Sequence, residues 1–174
     1  MKLLIDGYNV IPAIPELGRA LRADLEAGRE AFLNLLGEYR RTSKEKLDIA
    51  VIFDGQRGMG GEGEDRSGNK RVHGIGVRFS RGEIADDLIV RLMKDEFRGA
   101  TLVTSDRELR DRAEPTAGAL VRSGEFADRL IMTMAAEGSI EIEERPKRTT
   151  TKKKGNPRKL SKKEREYRRS LDKL

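Results

Sequence analysis

The chain has 174 residues, no cysteine, one histidine and a formal net charge of +6. That length supports one domain with a core of its own and a remainder, and the lack of cysteine excludes disulfides, thiolate metal sites and cysteine nucleophiles. No stretch approaches the roughly 20 apolar residues of a membrane span. The N-terminus enters a strand-like segment with neither a basic n-region nor a cleavable apolar one, so the expectation is a soluble cytoplasmic protein with no membrane and no disulfide partner.

The charge is unevenly spread. Residues 145–174 carry 14 Lys+Arg against 3 Asp+Glu, whereas residues 1–144 carry 22 against 27. A slightly acidic domain is therefore joined to a strongly basic segment. Such a segment meets a polyanion, with an affinity that falls steeply with salt; the plainer alternative is a solvated end that aids solubility. The division expected is a domain over 1–138 and a basic, flexible extension over 139–174.

In chain order, five runs rich in Val, Ile or Leu read as strands: 2–6 (KLLID), 48–54 (DIAVIFD), 75–79, 101–105 (TLVTS) and 119–122 (ALVR). Between them the spacing is helical. Residues 18–42 place Leu21, Leu25, Phe32, Leu35, Leu36 and Tyr39 on one side, and 83–97 do the same with Ile84, Leu88, Leu92 and Met93. A short helix is expected over 106–113 and a longer one over 124–136, through Phe126, Leu130, Ile131 and Met134. Strands alternating with helices imply an α/β fold with a mainly parallel sheet covered on both faces. Residues 55–70 (GQRGMGGEGEDRSGNK) are glycine-rich, polar and without period, and are expected to form a long mobile loop.

Three strands deliver a carboxylate to their C-terminal ends: Asp6, Asp54, and Asp106 in TLVTSD. In a parallel sheet those ends share one edge, where open α/β folds place their ligand crevice. Asp86 or Asp87, in GEIADDL, can lean over the same rim from the first turn of a helix. Carboxylates gathered there repel one another unless a cation sits between them. Hard oxygen ligands without cysteine or clustered histidine point to Mg²⁺ or Mn²⁺. Such an ion activates water and neutralises charge in the in-line displacement of a phosphodiester. Each aspartate also has a structural reading: Asp106 as a helix N-cap, Asp54 as the start of a turn, and Asp86 and Asp87 as acids favoured by a helix dipole. The glycines of 55–68 lack the GK[ST] of a P-loop, and His73 has no serine or acid partner in sequence to form a triad. Arg81 and Arg107, with other arginines near the rim, can grip a nucleic-acid backbone or serve as surface charge.

The blocks LLIDGYNVI, DLEAGREAFLNLLGEY, VIFDG, EIADDLI and LVTSDRELR, in this order, resemble the NYN-domain family in its YacP-like branch, within the PIN-like nuclease superfamily. The motif blocks cover about residues 1–136, and the basic segment after 144 falls outside them. The resemblance implies a PIN-like three-layer α/β/α sandwich and a divalent-metal-dependent endoribonuclease, of a type associated with the ribosome and acting on messenger RNA. It assigns the acidic metal-binding set to Asp6, Asp86 and Asp106, with Asp54 less directly involved and Asp87 the weaker of its pair. Asn9 of DGYN is assigned to orienting a ligand or a metal-bound water. Messenger or ribosomal RNA is the expected partner, met also by Lys152, Lys153, Lys154, Arg158 and Lys159 of the basic segment. A non-catalytic RNA- or ribosome-binding module is the alternative, and a phosphatase of small esters is disfavoured because DGYN lacks the paired aspartates of a phosphoaspartyl enzyme.

Overall fold

The apolar runs become strands of one sheet in the computed structural model, which describes residues 1–55, 69–138 and 167. In chain order the elements are β1 (Lys2–Asp6), α1 (Gly7–Val10), a 3-10 turn (Ile11–Ala13), α2 (Pro15–Ala23), α3 (Leu25–Thr42), β2 (Asp48–Phe53), β3 (Asn69–Val72), β4 (Ile75–Phe79), α4 (Ala85–Lys94), β5 (Thr101–Val103), α5 (Arg107–Ala113), β6 (Ala119–Val121) and α6 (Ser123–Ala136). The sheet order is β3-β4-β2-β1-β5-β6, and every neighbouring pair is parallel except β3 with β4.

Alternation along the strands divides the core between two faces. Leu3 and Ile5 of β1 join Ile49 and Val51 of β2, Phe32, Leu36 and Tyr39 of α3, and Phe126 and Leu130 of α6. Leu4 points the other way and joins Ile52, Leu102, Leu88, Ile89 and Met93 of α4, and Leu109 of α5. Strands buried on both faces read as continuous apolar runs, which is why KLLID and DIAVIF lack a polar alternate. Each fully buried Leu, Ile or Phe contributes about 1.5–3 kcal/mol by leaving water. The result is a three-layer α/β/α sandwich with a central, mainly parallel sheet.

Three expectations are corrected. The helix read over 18–42 is two helices, because Asp24 adopts an extended conformation (φ −153, ψ 125) and caps α3 by accepting the Glu26 and Ala27 amides. Leu25 consequently opens α3 and is 40% exposed rather than part of the apolar stripe. A sixth strand, β3, takes up Asn69 and Lys70 from the far end of the glycine-rich stretch; residues 56–68 of that stretch lie outside the described residues. The strands read over 101–105 and 119–122 end earlier, at Val103 and Val121. Thr104 and Ser105 are thereby released into the loop that builds the site. Among the described residues, no helix is long and apolar enough to cross a membrane.

Candidate active site

Parallel pairing sets the C-terminal ends of β1, β2, β4, β5 and β6 on one edge of the sheet. Asp6 closes β1, Asp54 follows β2, Ser80 follows β4 and Thr104 follows β5. From β1 the chain moves to β2 on one side and later crosses to β5 on the other, so β1 and β5 flank the point where the strand order reverses. Open α/β sheets bind ligands in the crevice at that point. Asp6 stands on one side of it and Thr104–Ser105–Asp106 on the other.

Short polar contacts tie these two sides together. The Thr104 hydroxyl, fully buried, donates to Asp6 Oδ2 at 3.0 Å and accepts the Asp106 amide at 3.1 Å. Asp106 Oδ1 accepts the Leu109 amide at 2.9 Å and so caps α5. Asn9 Oδ1 accepts the Ser105 amide at 2.9 Å and the Ser123 hydroxyl at 2.7 Å, while the Ser123 amide donates to Ser105 Oγ at 3.0 Å. One carboxamide oxygen thus joins the turn after β1, the loop after β5 and the start of α6. Neither Thr104 nor Ser123 stood out in the sequence; the TSD motif contains the first, but nothing around the second distinguishes it from an ordinary helix start.

Burial, above all, pushes the Asp6 carboxyl up to about 6; the Asp86 and Asp106 carboxylates push the same way, and the Thr104 hydroxyl and the Asn9 amide oppose them. Asp86 is also raised, first by desolvation and then by Asp106, Asp87 and Glu108, against the pull of Arg112. Asp86 therefore presses on Asp6, and Asp106 presses on both. Asp87 is engaged elsewhere, accepting a hydrogen bond from Arg112 in an ion pair. Asp54 sits on the other flank, where the Ser80 hydroxyl donates to its Oδ1 at 3.2 Å and accepts the Gly55 amide at 3.0 Å.

Among the described residues, no three Asp, Glu or His side chains are placed to ligate one metal ion together. Asp6 and Asp106 each spend one carboxylate oxygen on a donor of the protein. The chemistry of this donor set, hard carboxylate oxygens with Asp86 and Asp106 both pressing on Asp6, fits a hydrated divalent cation such as Mg²⁺ or Mn²⁺ that keeps most of its own water.

Arg81, just after β4, is exposed. Arg107, in the first turn of α5, is 95% exposed and only 4.0 Å from Asp111. Lys152, Lys153, Lys154, Arg158 and Lys159 lie outside the described residues. His73 occupies the β3–β4 turn, beside the Val72–Ile75 pair, at the opposite edge of the sheet from Asp6. An aromatic group lies at the site's edge, with Tyr8 from DGYN and Phe53 from VIFDG, and with Phe79 outside the motif blocks. Tyr8 meets Phe53 edge-on at 5.2 Å, Phe53 stacks on Phe79 at 5.7 Å, and Arg29 of α3 reaches both Tyr8 and Phe79.

The family model of the YacP-like NYN domain matches the chain over residues 3–173. The chain belongs to that family. The match passes the point near residue 136 where the motif blocks end, and it takes in the basic segment that they left out. The fold of this YacP-like NYN domain is similar to that of Rae1 (YacP) from Bacillus subtilis in two crystal structures. One, of a mutant, has a TM-score of 0.61 at 23% identity, covering 78% of this chain and 77% of that one. The other has a TM-score of 0.60 at 22% identity, covering 79% and 78%. No curated protein matches the chain.

Proposed function

We propose that this YacP-like NYN domain is a divalent-metal-dependent endoribonuclease whose cation, keeping most of its own water, would be held partly through that water by Asp6, Asp86 and Asp106, with Asp54 in support. The observation that carries the reading is the convergence of three aspartates from the end of β1, the start of α4 and the start of α5, where Asp86 and Asp106 both press on Asp6. A structural N-cap accounts for Asp106 alone and a helix dipole for Asp86 alone; neither accounts for a largely buried acid at Asp6 with two more beside it. Asp6, Asp86 and Asp106 would hold a divalent cation where it would supply activation of water and charge neutralisation at a phosphodiester.

The chain's own groups do the positioning. Thr104 fixes one oxygen of Asp6 and aligns the Asp106 backbone with the same hydroxyl. Asn9 locks the loop after β5 to α6 and acts as a positioning residue, its carboxamide oxygen already filled by two protein donors. Arg81 and Arg107 lie at the rim for a polyanionic strand to pass over. In this reading residues 1–138 form the nuclease domain and 139–174 a basic extension that raises local RNA concentration. Messenger RNA on the ribosome, in the cytoplasm, is the substrate proposed from family resemblance.

The test is incubation of the purified chain with structured and unstructured RNA, in Mn²⁺ or in EDTA, beside Asp6→Asn. Internal cleavage confined to the parent in Mn²⁺ is the expected result. The absence among the described residues of a three-carboxylate cage favours one rival, an RNA-binding module without turnover. RNA binding that survives Asp6→Asn, with no metal-stimulated cleavage by the parent, would select that rival.

A further inference from the structure

We propose that Arg29 is a binding site for a backbone phosphate of the RNA strand, with Tyr8 and Phe79 holding its guanidinium in place beside the acidic site. Arg29 lies near the start of α3 and is half-buried. Its Nη1 donates to the Tyr8 hydroxyl at 3.1 Å, and the centre of its guanidinium lies 5.4 Å from the centroid of the Phe79 ring. Tyr8 is two residues beyond Asp6, and Phe79 ends β4 immediately before Ser80, the residue bonded to Asp54. Phe53, between them at the end of β2, contacts both rings. Three strand ends of the active-site edge therefore carry one aromatic platform, and Arg29 lies on it.

Among the described residues, the guanidinium of Arg29 meets a hydroxyl and a ring face. Arg78, Arg91 and Arg112 each bond a carboxylate, of Glu96, Glu83 and Asp87 respectively. Among the described residues no carboxylate bonds Arg29. A guanidinium has five N–H donors in a planar fork that suits a phosphate bidentately. One is committed to Tyr8, and the aromatic contact has already removed much of the side chain's rotamer freedom, so little ordering is left for the ligand to bear. A neutral base gains less from that positive charge than an anionic phosphate does. A phosphate also has to be held against the repulsion of Asp6 and Asp54 nearby.

The inference deepens the endoribonuclease reading and rests on its RNA substrate, but binding can be read without cleavage. The experiment measures the affinity of the full chain for a short, unstructured fluorescent oligoribonucleotide in EDTA across a range of KCl. Arg29→Met keeps the stem and removes the charge. It is expected to weaken binding about tenfold and to lower the slope of log affinity against log salt by about 0.7, the value for one single-strand phosphate. Arg29→Lys should recover the slope without the full affinity, because the point charge remains and the fork does not. Tyr8→Phe should weaken binding and leave the slope alone. Arg91→Met, which removes a charge paired with Glu83, is the control and should change neither. Melting curves establish that each variant is folded, and Arg29→Lys carries the test if Arg29→Met is not. Unchanged affinity and slope in Arg29→Met, with the parent binding RNA, would overturn this inference alone. A parent that binds RNA through Arg29 but never cleaves it would overturn the nuclease reading alone. A parent that binds no RNA would remove both.

Discussion

Asp6 keeps its proton up to about pH 6 because burial, reinforced by Asp86 and Asp106, disfavours its charge more than Thr104 and the Asn9 amide favour it. In the unfolded chain the same group ionises near 3.8. Between those two values the folded state holds the proton that the unfolded state has released. Stability therefore falls as pH rises through this window, and above it a constant penalty of about 1–3 kcal/mol persists. Asn at position 6 carries no such charge, yet its carboxamide oxygen can still accept the Thr104 hydroxyl. Asp6→Asn is thus expected to be more stable than the parent at pH 7.5 in EDTA, with the difference vanishing towards pH 4. Urea unfolding at several pH values checks this, and an equal or lower stability of the variant at pH 7.5 would contradict the buried acid. Mn²⁺ reverses the ranking if it binds the folded acids, since a ligand of the native state stabilises by mass action. The parent's melting temperature should rise with Mn²⁺ and the variant's should rise less.

At the scale of elements, what the sequence revealed depended on whether burial or geometry set the boundary. The central strands were legible because both faces are buried and the apolar run is unbroken, and Asp6 could be singled out as a candidate because a strand end is the one place where such a run has no packing use for a carboxylate. β3 was not, because NKRV is an edge strand: Lys70 and Arg71 lie on a rim where charge guards against further pairing. Its turn, with His73 at φ 51 and Gly74 at φ 80, is a two-residue hairpin connection whose sequence lacks the usual Asn-Gly signal. Arg29 was hidden for a different reason, since only tertiary packing brings α3 over the ends of β1 and β4. The break between α2 and α3 was obscured because apolar spacing runs through it. Gly28 is what lets the two helices fold against each other, for a Cβ there would meet the Leu21 Cα at 2.5 Å and its backbone nitrogen at 2.7 Å. Alanine is the better helix former by about 1 kcal/mol, but this contact is with backbone that cannot step aside. Gly28→Ala is expected to lower stability by about 1–3 kcal/mol, more than loss of the Asp24 cap at about 1 kcal/mol. Denaturant melts of both variants rank them, and a stabilised Gly28→Ala would refute the close packing.

For the whole molecule, a slightly acidic domain and a basic segment meet one polyanion in the proposed reading. The segment is not independent of the fold at residue 167. Tyr167 packs against the apolar cluster that includes Phe126 and Leu130, and its hydroxyl donates to Glu125 in the first turn of α6. Burial and that carboxylate push the Tyr167 phenol up to about 12, so it keeps its proton, and hence the bond, throughout the neutral range. Glu125 lies two residues from Ser123, which bonds Asn9 of the site. Packing and charge should therefore separate under mutation. Tyr167→Ala removes an anchored ring and is expected to cost about 1–2 kcal/mol of stability, with little change in the salt dependence of RNA binding. Deleting 145–174 removes that ring together with 14 basic residues. It should lower the melting temperature by a similar amount, weaken RNA binding, and flatten the slope of log affinity against log salt by about 0.7 for each phosphate that the segment neutralises. Melting curves and salt titrations on the same three proteins provide the comparison. An unchanged slope after deletion would mean that the basic segment does not bind RNA, and a change of slope in Tyr167→Ala as large as in the deletion would mean that the ring's anchorage governs how the lysines and arginines are presented.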